Sequence, residues 1–291
     1  MEIIHSNATL RRSVRRLKAR DKTIVLVPTM GALHAGHEAC IELARKHGDT
    51  VVVSIFVNPA QFGPGEDFES YPKDMTEDLA LCERAGCDVV FAPTVEDMYP
   101  ETQVVWVEPG DLATPLCGAG RPGHFRGVCT VVCKLFNIAG PDVAVFGQKD
   151  AQQALVIRSM VSQLGMGVDI RLCPVVREPD GLACSSRNRY LGSGERVRAA
   201  RIYEALVRAT EAISAGERDP AAVCGEVRSQ LEGSVDVEYV ELLDTKALRP
   251  VTRAADHVIL AVAGRIGRTR LIDNVVLRLD ASGGVAEAPL F

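Results

Sequence analysis

Short, unbroken apolar runs recur through the N-terminal part of this chain, and helical stretches separate them. IVLVP at 24–28, VVVSIFVN at 51–58, DVVFAP at 88–93 and DVAVFG at 142–147 are rich in β-branched residues and too short for buried helices. Between them, Ala35–Lys46, MTEDLALCERAG and GVCTVVCKLFNIAG (127–140) carry helical periodicity. So do residues 7–20 before the first run and Asp150–Leu164 after the last. Strands that are apolar on both faces and alternate with helices require a parallel sheet covered on both sides. DIRLCPVVRE, 169–178, closes the series, and TQVVWVEPG, 102–110, is expected as an edge strand or an excursion. The expectation is a Rossmann-like, doubly wound α/β domain over residues 1–175.

The texture then changes. A polar stretch, 179–194, is expected to act as a hinge. A long helix follows from Glu195 to Ala215, with Ser193 as its N-cap and Gly216 at its end, and another covers 220–232. VEYVELLD at 237–244 reads as a strand, and HVILAVAGRIGRTRLIDNVVL at 257–277 as two. Residues 176–291 are therefore expected to form a smaller C-terminal α+β lid domain.

The 291 residues carry a formal net charge of -5, so nothing draws the chain in bulk to nucleic acid or to an anionic membrane, and neither is expected as a partner. Any phosphate must be held locally. The nine cysteines form no C-x-x-C pair and read as reduced, buried small hydrophobes. No run of about 18 apolar residues is present, and the first residues lack the apolar core of a signal peptide. A cytoplasmic location is expected.

The first apolar run leads through Thr29-Met30-Gly31-Ala32-Leu33 to two histidines, His34 and His37, at the mouth of a helix. In open α/β sheets, ligands bind beyond the carboxyl ends of the strands, where helix N-termini offer N–H groups and partial positive charge. Gly31 and Gly36 would let a ligand approach the backbone. From H-x-x-H alone three readings stand. The histidines cap or pack the helix, they bind zinc with a third ligand that no acid or cysteine supplies at a persuasive spacing, or they handle a nucleotide. No P-loop or dinucleotide fingerprint follows a strand.

PTMGALHAGH resembles the histidine signature of the nucleotidyltransferase superfamily that includes the class I aminoacyl-tRNA synthetases. VNPAQFGPGEDFESYP, GAGRPGHFRGV, FGQKDAQQ and REPDGLACSSRNRYL resemble, in order across nearly the whole chain, the further motifs of one of its families, the pantothenate synthetases or pantoate–β-alanine ligases. The resemblance implies a homodimeric ligase that joins (R)-pantoate to β-alanine with ATP, through a pantoyl adenylate, releasing AMP and pyrophosphate.

It also implies site residues. Met30, Gly31, Ala32, Leu33, His34, Ala35, Gly36 and His37 match the ATP signature, with His37 in the place of a proton donor. Gly147, Gln148, Lys149 and Asp150 match a second ATP stretch whose lysine meets the phosphates. Val176 matches a backbone position near adenine, and Cys184, Ser185, Ser186 and Arg187 match a phosphate-binding loop. His34, His37, Lys149 and Arg187 are the implied catalytic group. Gln61 and Gln153 match pantoate contacts, and Arg121 a substrate-site arginine. Glu77 and Asp78 match an acidic pair assigned to Mg2+, although Leu81 stands where a third, glutamine ligand is expected. Cys184 stands where methionine is common. Two of these stretches have a structural reading as well, since Asp150 with Gln153 and Asp74 with Glu77 have helix-cap spacing.

Two rival functions share part of this pattern. Another nucleotidyltransferase, passing AMP or CMP to a phosphorylated acceptor, would keep PTMGALHAGH without needing Gln61 or Gln153. A nucleotide sensor would bind ATP and form no AMP.

Overall fold

The computed structural model describes residues 1–280 and 284–291. In chain order the elements are β1 (Glu2–Ile4), α1 (Asn7–Lys18), β2 (Ile24–Thr29), α2 (Ala35–Arg45), β3 (Thr50–Ile55), α3 (Met75–Arg84), β4 (Val89–Phe91), α4 (Val95–Met98), α5 (Cys117–Gly120), α6 (His124–Ala139), β5 (Val143–Gly147), α7 (Ala151–Gln163) and β6 (Asp169–Cys173). There follow α8 (Ser193–Ser214), α9 (Pro220–Leu231), β7 (Asp236–Asp244), β8 (His257–Ile266), β9 (Thr269–Leu279) and β10 (Val285–Glu287). Two compact units emerge. The first holds Met1–Thr114, Gly118–Gly147 and Gln153–Cys173, and the second Pro115–Cys117, Gln148–Gln152 and Pro174–Phe291. Gln148–Gln152, expected in the first domain, clusters with the second.

The first unit is a six-stranded sheet in the order β1-β4-β3-β2-β5-β6, parallel throughout. On one face Val25, Val27, Val51 and Val53 pack with Ile41 and Ala44 of α2 and Leu81 and Cys82 of α3. On the other, Leu26 and Val52 are fully buried, α6 contacts β2, and α1 lies on α6. This is the Rossmann-like arrangement the strand runs call for. Each of the valine, leucine and isoleucine side chains contributes about 1.5–3 kcal/mol on burial. Strand order reverses at β2, which has β3 on one side and β5 on the other. The carboxyl end of β2 is therefore the place where such sheets take ligands, and Thr29 leaves the sheet there.

Of the two readings of TQVVWVEPG, edge strand or excursion, the structure shows the excursion. The stretch is tied to α6, with the Val107 N–H donating to Thr130 Oγ1 at 3.1 Å, Lys134 Nζ donating to Gln103 Oε1 at 2.6 Å and Arg126 stacked over Trp106 at 4.7 Å. The sheet edge beside β4 is filled by β1, three residues hidden in what reads as the approach to α1. The last strand is also shorter than the run 169–178, ending at Cys173 before Pro174, whose missing N–H ends the ladder.

The second unit is a four-stranded antiparallel sheet, β10-β9-β8-β7. Ile202 and Leu206 of α8 and Val223 and Val227 of α9 pack against Leu260 of β8 and Val275 of β9. The run 257–277 does hold two strands, joined at Gly267, whose φ of 57° suits a two-residue hairpin turn. The cap of α8 is Gly192 and not Ser193, with Glu195 Oε2 accepting the Gly192 N–H at 3.0 Å.

The stretch expected as a hinge is a braced hairpin. Glu178 N–H donates to Leu182 O and Cys184 N–H to Val176 O, at 2.8 and 2.9 Å. Asn188 Nδ2 donates to Glu178 Oε1 and Ala183 O, at 2.6 and 3.0 Å, and Arg196 joins Glu178 and Asp180. Glu178, Asp180, Asn188 and Arg196 thus bond one another across the hairpin. Among the described residues no helix is long and apolar enough to cross a membrane.

Candidate active site

In the first unit the chain leaves β2 at Thr29, turns through Gly31 at φ 82° and Ala32 at φ 51°, and enters α2 at Ala35. His34 is the N-cap of α2. Its Nδ1 accepts the Gly36 N–H at 3.1 Å, while His37 Nδ1 accepts the His34 N–H at 3.3 Å. The two imidazoles form a reciprocal capping box of the kind usually built from Ser and Glu. Their ring centroids lie 4.1 Å apart. A ring nitrogen that accepts carries no proton, so the neutral form of each ring holds its proton on Nε2. The capping and ligand readings of H-x-x-H thus coincide. Capping uses Nδ1 and fixes Nε2 as the donor, at a helix end that favours an anion.

Beneath this turn sits Asp78, only 2% exposed. Its two carboxylate oxygens accept the N–H groups of Ala32 and Leu33, at 3.0 and 2.6 Å. The turn closes on it so tightly that a Cβ on Gly31 would come within 2.9 Å of Asp78 Oδ2. Glu77, by contrast, is exposed, and its N–H is capped by Asp74 Oδ1 at 3.0 Å. This pair does not fit a magnesium site. Asp78 is turned inward and committed to backbone donors. The sequence carried a sign of this, because Asp78, Leu81 and Cys82 share the inward stripe of α3. An acid on an apolar stripe must find donors.

Gln61 lies in the short 3-10 turn Pro59–Gln61 after β3 and is buried. Its Oε1 accepts from Asn58 Nδ2 at 3.1 Å, and its Nε2 reaches Met30 Sδ at 3.1 Å, which joins it to the signature turn. Asn58 is held in turn by Tyr99 OH at 2.7 Å and by its own bond to Gly127 O at 3.2 Å. Burial pushes the Tyr99 hydroxyl up to about 12, so it stays a neutral donor. Gly127 is required here, since a Cβ would meet Ala60 O at 2.1 Å.

Arg121 holds Glu66 through two bonds of 2.6 Å and touches His124 Nε2 at 2.9 Å, while His124 Nδ1 bonds Gln61 O at 2.8 Å. Burial pushes the Glu66 carboxyl up, and the Arg121 guanidinium more than offsets this, leaving it below its ordinary value. The unit thus brings Met30, Gln61 and Arg121 into one network. Asn58, Glu66 and His124, which sequence reasoning passed over, are its connections. Gly147 ends β5, and Gln153 is half-buried on α7.

In the second unit, Gln148–Asp150 form a 3-10 turn. The Gln148 side chain is used structurally, donating to Ala288 O at 3.4 Å and accepting from the Leu290 N–H at 3.1 Å. Lys149 is half-buried and Asp150 exposed. Ser185 Oγ caps the 3-10 turn Ser186–Tyr190, accepting the Arg187 N–H at 3.3 Å. Val176 O is occupied by the Cys184 N–H, and Cys184 is buried at 5% exposure, so the smaller side chain is accommodated in the hairpin. Lys149 and Arg187 give this unit two cations on short, tight turns, a pattern suited to phosphate oxygens.

A family model described as Pantoate-beta-alanine ligase matches residues 2–276. Pantothenate synthetase 1 of Bradyrhizobium diazoefficiens is 52% identical over 283 residues, which covers 97% of this chain and 100% of the relative. The crystal structure of pantothenate synthetase from Thermus thermophilus is similar with a TM-score of 0.90 at 42% identity, covering 94% of this chain and 99% of that one. Pantoate-β-alanine ligase from Francisella tularensis, complexed with β-γ ATP and β-alanine, has a TM-score of 0.77 at 34% identity, covering 94% and 97%.

Proposed function

The chain belongs to the pantoate–β-alanine ligase family, and from that premise we propose that it couples (R)-pantoate to β-alanine through an acyl adenylate. A carboxylate oxygen of pantoate forms a bond to the α-phosphorus of ATP, and pyrophosphate leaves with the electrons of the broken P–O bond. The β-alanine amine then attacks the acyl carbon and loses a proton, and AMP departs with the former carboxylate oxygen. The carboxylate alone would have to expel oxide, so activation is what makes the amide accessible. The first step gathers charge around phosphorus, and preorganised donors lower its barrier.

In the first unit, the Nε2–H groups of His34 and His37 act on the phosphates at the N-terminus of α2, with Met30–Leu33, Ala35 and Gly36 lining the nucleotide. Gln61 and Gln153 take pantoate, Gln61 also meets β-alanine, and Arg121 lies by the substrates. In the second unit, Lys149 and Arg187 balance phosphate charge with Ser185 and Ser186, while Gln148, Asp150, Val176 and Cys184 contribute mainly backbone, as does Gly147 at the end of β5. The observation that carries this reading is the double histidine cap, in which both Nδ1 atoms accept and each neutral ring keeps its proton on Nε2 at a helix start. Magnesium would come with the triphosphate and supply counter-charge there; Asp78, committed to backbone donors, does not fit as its ligand.

The reading includes a homodimer in the cytoplasm. The nine cysteines, most of them buried, stand as thiols, which suits a reducing compartment. Val104 and Val105, 80% and 74% exposed, are the candidates for contact with a second copy. Sedimentation equilibrium showing a monomer at micromolar concentration would contradict the dimer.

An acceptor panel tests the function. ATP with pantoate alone is expected to support pyrophosphate exchange, ATP with β-alanine alone to do nothing, and all three to yield AMP and pyrophosphate in equal amounts. Exchange that responds to a phosphorylated acceptor and not to pantoate would favour the rival nucleotidyltransferase. ATP binding with no AMP formed would favour a sensor.

A further inference from the structure

Asp273 and Asn274 interrupt the apolar run of β9, and each is only 4% exposed. Neighbouring residues on a strand face opposite sides of the sheet. Asp273 shares the side of Leu271 and Val275, which belong to the core with α8 and α9. There it accepts two bonds from Arg177, at 2.6 and 3.1 Å, and Arg177 stacks over Tyr203 and donates to Gly181 O of the braced hairpin. Asn274 faces the other way. Its Nδ2 donates to two consecutive carbonyls, Gln148 O at 3.1 Å and Lys149 O at 2.9 Å.

Asn274 Oδ1, in contrast, has no hydrogen-bond partner among the described residues. Turning the amide over would set that oxygen against two carbonyl oxygens, so donation to the turn fixes its orientation. A buried amide kept with one atom unsatisfied needs a reason. What it holds is the peptide from which Lys149 rises.

We propose that Asn274 is a positioning residue for Lys149. A lysine stem has several rotatable bonds, so the part of it the protein can preorganise is its backbone origin. By bonding both carbonyls, Asn274 fixes that origin and with it the reach of the ammonium toward phosphate. The proposal rests on the phosphate role of Lys149 given above.

The test is a double-mutant cycle in pantoate-dependent pyrophosphate exchange, with Lys149→Ala, Asn274→Ala and the pair. Misplacing a catalytic group by an ångström costs about 10²-fold, and Asn274→Ala is expected to lose about 10- to 100-fold in kcat with an unchanged KM for pantoate. The double variant is expected to fall no further than Lys149→Ala alone. Losses that multiply, or a wild-type rate for Asn274→Ala, overturn the proposal. A wild-type rate for Lys149→Ala overturns the assignment of Lys149 itself, and the proposal with it. If Asn274→Ala does not fold, Asn274→Leu keeps the branched shape and removes the donor without setting an oxygen against the two carbonyls, and carries the same test.

Discussion

His37→Ala is expected to slow pantoate-dependent exchange of pyrophosphate into ATP by about 10²–10³, the usual loss when one preorganised donor to a developing charge is removed. His37 also caps α2, because its Nδ1 accepts the His34 N–H. The alanine variant should therefore lose stability as well, by about 1 kcal/mol. His37→Gln separates the two effects. Glutamine at the third helical position is an ordinary capping-box residue, so this variant should melt close to wild type while remaining as slow as His37→Ala. A glutamine variant with the wild-type rate would show that His37 only caps.

Asp78→Ala is expected to destabilise the first unit by about 3–5 kcal/mol, because it leaves the Ala32 and Leu33 N–H groups buried without acceptors. The turn it releases includes Ala32 at φ 51°, a conformation that needs support from its surroundings. KM for ATP should rise with the loss of stability, and hydrogen exchange at Ala32 and Leu33 should accelerate. Asp78→Asn should lie between, keeping one acceptor and losing the other. A metal-ligand role makes the opposite prediction. In that case Asp78→Asn would melt like wild type and excess Mg2+ would restore its activity, and that result would overturn the anchor role.

The sheet was legible because the physics that builds it is local. Runs such as VVVSIF are buried on both faces, and only a covered parallel sheet accepts them. The edges were not legible. β1 is three residues long, too short for a periodicity to show, and TQVVWVEPG has strand propensity that contacts with Thr130, Lys134 and Arg126 override. In the candidate site, the histidines stood out because H-x-x-H at a helix start has the spacing of a cap, which the structure shows them to be. Residues that act through backbone atoms did not stand out. Asp78 and Asn274 each interrupt an apolar pattern, and their partners are distant in sequence. The bracing of the polar stretch 179–194 was not legible for a related reason, since composition alone does not reveal that Glu178, Asp180, Asn188 and Arg196 bond one another.

The most direct test of the acyl-adenylate account follows an oxygen atom. Pantoate labelled with 18O in both carboxylate positions is turned over with ATP and β-alanine, and the nucleotide product is examined by mass spectrometry. One labelled oxygen in each AMP, with none in pyrophosphate, is the predicted result, because the attacking carboxylate oxygen departs on the α-phosphorus. Label appearing in inorganic phosphate beside ADP, or unlabelled AMP, would contradict it.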